Sequence, residues 1–340
     1  MVVAHLATRN EPIDPSAPET WVGVADGRPS TLFAIVAGLS VALVTARAVA
    51  PSAGRRDHRR ARASLVARGV LVGLFGLALV VLPTGVAVIL PVYGLLFLVV
   101  ATVATWPAAR LAVTAAVLAA LAPATAWWLS AALAAVDTGP DLPGRLVGVL
   151  LQFPPVSYAA YLLVGLAVGR CDLRSDRVRR LLLVGGAAVS TAAYSVGALL
   201  APERAGGTPG SAPAEVLFSP RAYSNSWIDL VGTSGVAMAV IGLCLIVADR
   251  ASGALSPLAV VGAMPLTAYT IHLVLLAGAV VATPGASLAP VAAAVTLGGT
   301  LLGTWLFARL WSRRHARGPL EAALASGVGA ILSRTDRRRG

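Results

Sequence analysis

Lysine is absent from this chain: all 27 of its basic residues are arginine. Cysteine occurs twice, histidine four times, and only 12% of the residues are charged. Each scarcity excludes something. Cys171 and Cys244, both expected on or near the cytoplasmic side, make neither a disulfide framework nor a cysteine-based metal site. The histidines are scattered, with no paired His or acidic cluster at zinc spacing, so no metal centre is expected. No Gly-rich phosphate loop follows a strand, which leaves a nucleotide-hydrolysing motor without support. No tightly bound cofactor is expected. The N-terminus also lacks the basic stretch and apolar core of a signal peptide.

What the chain has in quantity is apolar side chains. At 57% hydrophobic residues over 340 positions, and a mean hydropathy of +0.80, it is too apolar for an ordinary water-soluble domain. The expected fold class is all-α: a polytopic transmembrane helix bundle over residues 1–312, followed by a basic cytoplasmic tail over 313–340. Nine complete spans are read at 30–50, 65–82, 86–105, 111–133, 146–168, 181–200, 228–247, 258–281 and 288–307.

The net charge of +12 would suggest nucleic acid in a soluble protein, but here the arginines sort by side. With the run at 55–62 placed in the cytoplasm, 22 of the 27 arginines fall inside and five outside. Nucleic-acid binding is therefore not expected; the partner is the lipid bilayer, read as a bacterial plasma membrane with the C-terminus cytoplasmic. The all-arginine usage goes with an Ala-, Val-, Leu- and Gly-rich composition and carries no functional weight.

This orientation puts Met1 outside. Residues 1–7 are apolar but too few to cross a bilayer, which needs about 20 residues. Either the N-terminus reaches the outer side unassisted, or Met1 is internal to a longer reading frame whose upstream residues complete a helix ending near His5. Translating the upstream DNA decides between them.

The stretch 262–276 places an ionisable side chain, His272, inside an apolar span. Tyr269 falls one turn before it on the same face, and the hydroxyls of Thr267 and Thr270 are within reach of the preceding turn's carbonyls. The imidazole either serves a function or simply bonds a neighbouring helix. Pro265 either kinks a helix that begins near Leu258 or starts a shorter one at its first turn. Elsewhere Pro154 and Pro155 break the fifth span, which carries Gln152, Ser157, Tyr158 and Tyr161; a substrate cavity near Gln152 and Tyr158 competes with a bare kink. Asp229 is either a base at the outer end of a helix or, within Ser226-Trp-Ile-Asp229, half of a capping box. His5 is either a proton shuttle or an ordinary interfacial residue.

Residues 218–227 either cover an outward-facing pocket or merely connect two spans. In the tail, Leu320, Ala323, Leu324, Val328, Ile331 and Leu332 repeat with the period of an interfacial helix on an anionic leaflet.

At 262–276, at 28–40 and at Gly165-Leu-Ala-Val-Gly-Arg170 the sequence resembles bacterial relatives of the heparan-alpha-glucosaminide N-acetyltransferase family and the allied YeiB-like membrane proteins. The resemblance implies a helix bundle. It also implies transfer of an acetyl group from cytoplasmic acetyl-CoA to an external amino sugar, glycan or lipid. His272 matches the His after Tyr in the late-helix motif, and His5 the polar position ending the first helix. Two features depart from the pattern. Pro18-Glu-Thr-Trp21 stands where a histidine precedes Ser-Ser-Trp, and the acidic and Arg-Gly pair before the first helix is missing. On this reading His272 is a general base or oxyanion partner oriented by Tyr269, and the loops carrying Arg59 and Arg170 attract the anionic donor. Those arginines would otherwise serve topology alone. The alternative is a non-enzymatic transporter or flippase-like protein in which His272 and Tyr269 line a polar path.

Overall fold

A computed structural model describes residues 23, 26–136, 138–139, 141–200, 213–282 and 290–337. No strand occurs among the described residues. The longer helices are α1 (Arg28–Val44), α2 (Arg55–Val80), α3 (Leu90–Val103), α4 (Ala108–Leu133), α5 (Leu142–Gln152), α6 (Pro155–Val168), α7 (Asp176–Leu200), α8 (Trp227–Arg250), α9 (Ser252–Gly262), α10 (Pro265–Ala282), α11 (Pro290–Ser312) and α12 (Pro319–Arg337). Within α7 the turn Leu181–Gly185 is a π-helix.

The expected nine spans are reduced. Among the described residues five helices, α2, α4, α7, α8 and α10, are long and apolar enough to cross a membrane, or six if α5 and α6, bent by 51°, make one broken span. The physical reason is local. The first apolar stretch yields a helix of 17 residues and the third one of 14, short of the roughly 20 residues that a straight crossing requires. The eighth stretch ends a helix at Gly262 and starts another at Pro265, which takes the first-turn position where its missing N–H costs nothing. The ninth stretch begins outside the described residues. The basic run at 55–62 is not a loop: α2 begins at Arg55, with Asp57 accepting the Gly54 N–H at 2.9 Å.

The chain divides into two compact units. Gly27–Val66 and Leu95–Val247 form the first. Here small residues let backbones touch, as they must where lipid supplies no hydrophobic drive for helix pairing. Gly38 of α1 lies on the Leu162 carbonyl and Gly165 of α6 on the Ile35 carbonyl, so a Cβ at either would strike the opposite backbone. Gly186 of α7 and Gly235 of α8 repeat the arrangement, a Cβ on either meeting the other's carbonyl oxygen at 2.6 and 2.7 Å. Gly242 packs on the π-turn in the same way, 2.6 Å from the Leu183 nitrogen by that measure.

The second unit holds, among the described residues, Ala67–Gly94 and those from Ala248 onward. A Cβ on Gly76 would reach the Pro91 nitrogen at 2.6 Å, so the end of α2 and the start of α3 are in backbone contact there. The C-terminal α12 is not loose. It packs on α2 where Gly327 meets Leu71, and its Glu321 side chain binds the first turn of α10.

Candidate functional site

In the first unit the break between α5 and α6 turns a run of aromatic side chains inward. Phe153 sits in the break itself, and Tyr158 and Tyr161 follow on α6, all three buried. Their rings meet edge to face, Phe153 to Tyr158 at 5.4 Å and Tyr158 to Tyr161 at 5.5 Å between centroids. Each phenol then finds a hydroxyl. Tyr158 donates to Ser30 Oγ at 2.9 Å, and Ser30 donates in turn to the Gly27 carbonyl at 2.6 Å. Thr233 uses its only proton on the Asp229 carbonyl at 2.6 Å, so in the 3.0 Å bond between Tyr161 and Thr233 the phenol is the donor.

Asp229 itself is buried at the start of α8, where its carboxylate accepts the Asn225 N–H at 3.1 Å and its own N–H donates to Ser226 Oγ at 3.0 Å. Half of the expected capping box forms: Ser226 caps the Asp229 N–H, whereas the Asp229 carboxylate takes the N–H of Asn225, one residue before the cap, and the Ser226 N–H donates to Ser224 Oγ. Residues 219–226 fold back over the cluster: Ser226 donates to the Ser219 carbonyl at 2.6 Å and the Tyr223 ring lies 6.0 Å from Phe153. Tyr223 and Asn225 have positive φ, 61° and 55°, a conformation that costs a non-glycine residue free energy. Arg28 lies over the Tyr194 ring at 5.4 Å, within cation–π range.

Beside this cluster a crevice of about 320 Å³ opens among α4, α6, α7 and α8. Ala112, Ala115, Ala116 and Ala119 line it from α4, Tyr161 from α6, Val189 from α7 and Met238 from α8. Val189 and Val231 of its lining are exposed, so the crevice opens on the surface of the bundle. Tyr161 thus borders the apolar space while its hydroxyl is bonded within the polar cluster.

Of the residues singled out in the sequence, Tyr158 and Asp229 belong to this cluster; Gln152 ends α5, half-buried, and neither it nor Tyr158 lines the crevice. Arg59 is exposed on α2. Arg170 is half-buried and clamped: its guanidinium donates to the Ala42 carbonyl at 3.2 Å, to Thr45 Oγ1 at 2.9 Å and to the Ala104 carbonyl, closing the C-terminal ends of α1 and α3. Burial lowers its pKa from the ordinary value, and an arginine so placed keeps its charge. His272 and Tyr269 lie in the second unit, on α10. Both are buried, ring to ring at 5.0 Å, and His272 bonds the backbone of Ala268 one turn earlier. The Tyr269 hydroxyl has the Ile89 backbone beside it without a well-formed hydrogen bond. Thr270 bonds the Leu266 carbonyl at 2.9 Å as expected, whereas Thr267, in the first turn, has no preceding helical carbonyl and bonds Glu321. His5 lies outside the described residues. No group of three or more metal-ligating side chains occurs among the described residues.

Sequence reasoning missed Ser30 and Thr233, common hydroxyls that nothing marks before folding. The crevice had a signal: alanines at 112, 115, 116 and 119 share one face of α4.

Residues 172–328 match a family described as a protein of unknown function, DUF418, a YeiB-like family of membrane proteins. That match covers α7 to α11 and the first half of α12, less than half of the chain, and it brings nothing specific to the heparan acetyltransferases. No curated protein and no solved structure is detectably similar to the chain.

Proposed function

We propose that the protein handles a membrane amphiphile, as a carrier or flippase-type protein, with an aliphatic chain in the alanine-lined crevice and a polar end at Tyr161 and Thr233. The observation that carries this reading is the position of Tyr161, shared between an apolar space and a buried hydroxyl network. A volume of about 320 Å³ lies in the range of small-molecule sites. Its lining suits an acyl chain and offers almost nothing to a polar solute. The test is photo-crosslinking of a phospholipid carrying a diazirine in its acyl chain to purified protein in nanodiscs, mapped by mass spectrometry. Label is expected on α4 and α8, and Ala116→Phe, which fills the crevice, should remove most of it. Equal labelling of that variant at the same peptides, with its helicity unchanged, would overturn the assignment.

Acyl transfer from acetyl-CoA to an external amine or hydroxyl is the second reading. In its favour is the His272 and Tyr269 pair, an ionisable ring inside a transmembrane helix. Against it stands an imidazole only 4% exposed, since a general base must reach the proton it removes. Label transfer from radioactive acetyl-CoA that is abolished in His272→Ala supports it. Absence of transfer, or transfer unchanged in that variant, ends it.

A further inference from the structure

Arg68 stands in the apolar part of α2, between Leu65-Val66-Ala67 and Gly69-Val70-Leu71. Its side chain is half-buried, its Nε is sealed from solvent without a hydrogen-bond partner, and no carboxylate lies within ion-pair distance among the described residues. An unpaired arginine within an apolar helix of this kind is costly. The charged group close enough to act on it is another arginine, Arg317, in the exposed turn between α11 and α12. Two like charges within electrostatic range, with no acid ion-paired to Arg68 among the described residues, are the opposite of what a protein builds to satisfy a buried guanidinium.

The placement of α12 makes the arrangement specific. Gly327 abuts Leu71, which lies one turn from Arg68 on the same face of α2, so α12 covers that face. The acid nearest to Arg317 in sequence, Glu321, has both carboxylate oxygens engaged by the first turn of α10. It is therefore committed elsewhere. The pair is left to recognise an anion from outside the chain, and two guanidinium forks fit phosphate oxygens better than any other common biological anion.

We propose that Arg68 and Arg317 form a binding site for the phosphate of an anionic phospholipid headgroup, with its chains running beside α2. The lipid is favoured over a soluble phosphate because Arg68 lies below the interface by residue count, where a headgroup already resides and a hydrated anion does not. Arginines also crowd this end of the unit, at Arg309, Arg313 and Arg314, which raises the local concentration of anionic lipid without defining a site.

The test uses the full chain in a neutral detergent, titrated separately with phosphatidylglycerol, phosphatidylcholine, inorganic phosphate and glycerol 3-phosphate. Native mass spectrometry counts retained lipid and thermal unfolding reads the stabilisation. Phosphatidylglycerol should be retained and should raise the midpoint, phosphatidylcholine should do neither, and Arg68→Gln and Arg317→Gln should each weaken retention by about tenfold. Arg334→Gln, an exposed arginine further along α12, should leave it unchanged. Should Arg68→Gln fold poorly, Arg317→Gln carries the test, since its side chain is in an exposed turn. Undiminished retention in Arg317→Gln, or an equal loss in Arg334→Gln, overturns the site in favour of diffuse surface charge. Full stabilisation by inorganic phosphate or glycerol 3-phosphate overturns the lipid as its occupant.

Discussion

Thr267 and Glu321, 54 residues apart in the chain, close on each other at 2.6 Å, the threonine hydroxyl donating to one carboxylate oxygen while the other accepts the N–H groups of Leu266 and Thr267 at 2.7 and 3.0 Å. The Leu320 N–H completes the joint by donating to the same threonine oxygen at 3.3 Å. Helix α10 follows Met264, which cannot cap it, so the cap comes from α12. One carboxylate thereby faces the positive ends of two helix dipoles.

Glu321→Ala should lower the unfolding free energy by about 2 kcal/mol, because two backbone donors and a hydroxyl lose a charged acceptor at once. Glu321→Gln, which keeps one acceptor, should cost roughly half as much. Thermal unfolding in detergent measures both. Limited proteolysis should show α12 cut before the rest of the chain in the alanine variant. Equal stability of all three proteins contradicts the capping role.

Glycine at 38 and 165 is demanded by contact, not by backbone conformation. Gly38→Ala and Gly165→Ala should each destabilise by about 1–3 kcal/mol or abolish a monodisperse product, since the new methyl meets a carbonyl oxygen that cannot move freely. Gly148→Ala provides the contrast. Its Cβ meets nothing within 4 Å, and alanine should be neutral or stabilising by up to about 1 kcal/mol. Size-exclusion profiles and melting midpoints of the three variants decide the matter.

For Arg170, three acceptors on two chain segments require a planar fork. Arg170→Lys should therefore not rescue the loss seen in Arg170→Gln, and both should cost roughly 2 kcal/mol. A lysine variant as stable as wild type would show that charge at the membrane face, and not the clamp, is what the position supplies.

Ser157 offers a prediction of opposite sign. Its hydroxyl is fully buried without a partner among the described residues, a state that costs about 1–3 kcal/mol. Ser157→Ala should raise the melting midpoint of lipid-free protein. A fall instead would mean that the hydroxyl finds a partner in solution.

Much of the site was legible in part. Spacing alone showed that Ser226 caps the Asp229 N–H, because a capping motif is local, but not that the carboxylate would turn to the Asn225 N–H instead of closing the box. Pro154 and Pro155 announced the break for the same reason. The buried pair of His272 and Tyr269 also followed from helical period. What spacing could not say is whether the imidazole reaches a cleft, and it is Tyr161, not His272, that lines the crevice found here.

Composition and hydropathy determined by themselves that the chain is helical and that several of its helices are long and apolar enough to cross a membrane, since apolar runs of such length have no other stable form in lipid. They overcounted its spans, because hydropathy does not register where a helix stops at a proline or a turn. Only the tertiary structure decided that Arg170 is a clamp, that Glu321 reaches α10 and that alanines on α4 open a crevice. Each of these depends on which segments meet across tens of residues, and close approach in lipid is governed by the fit of small side chains, which no local pattern encodes.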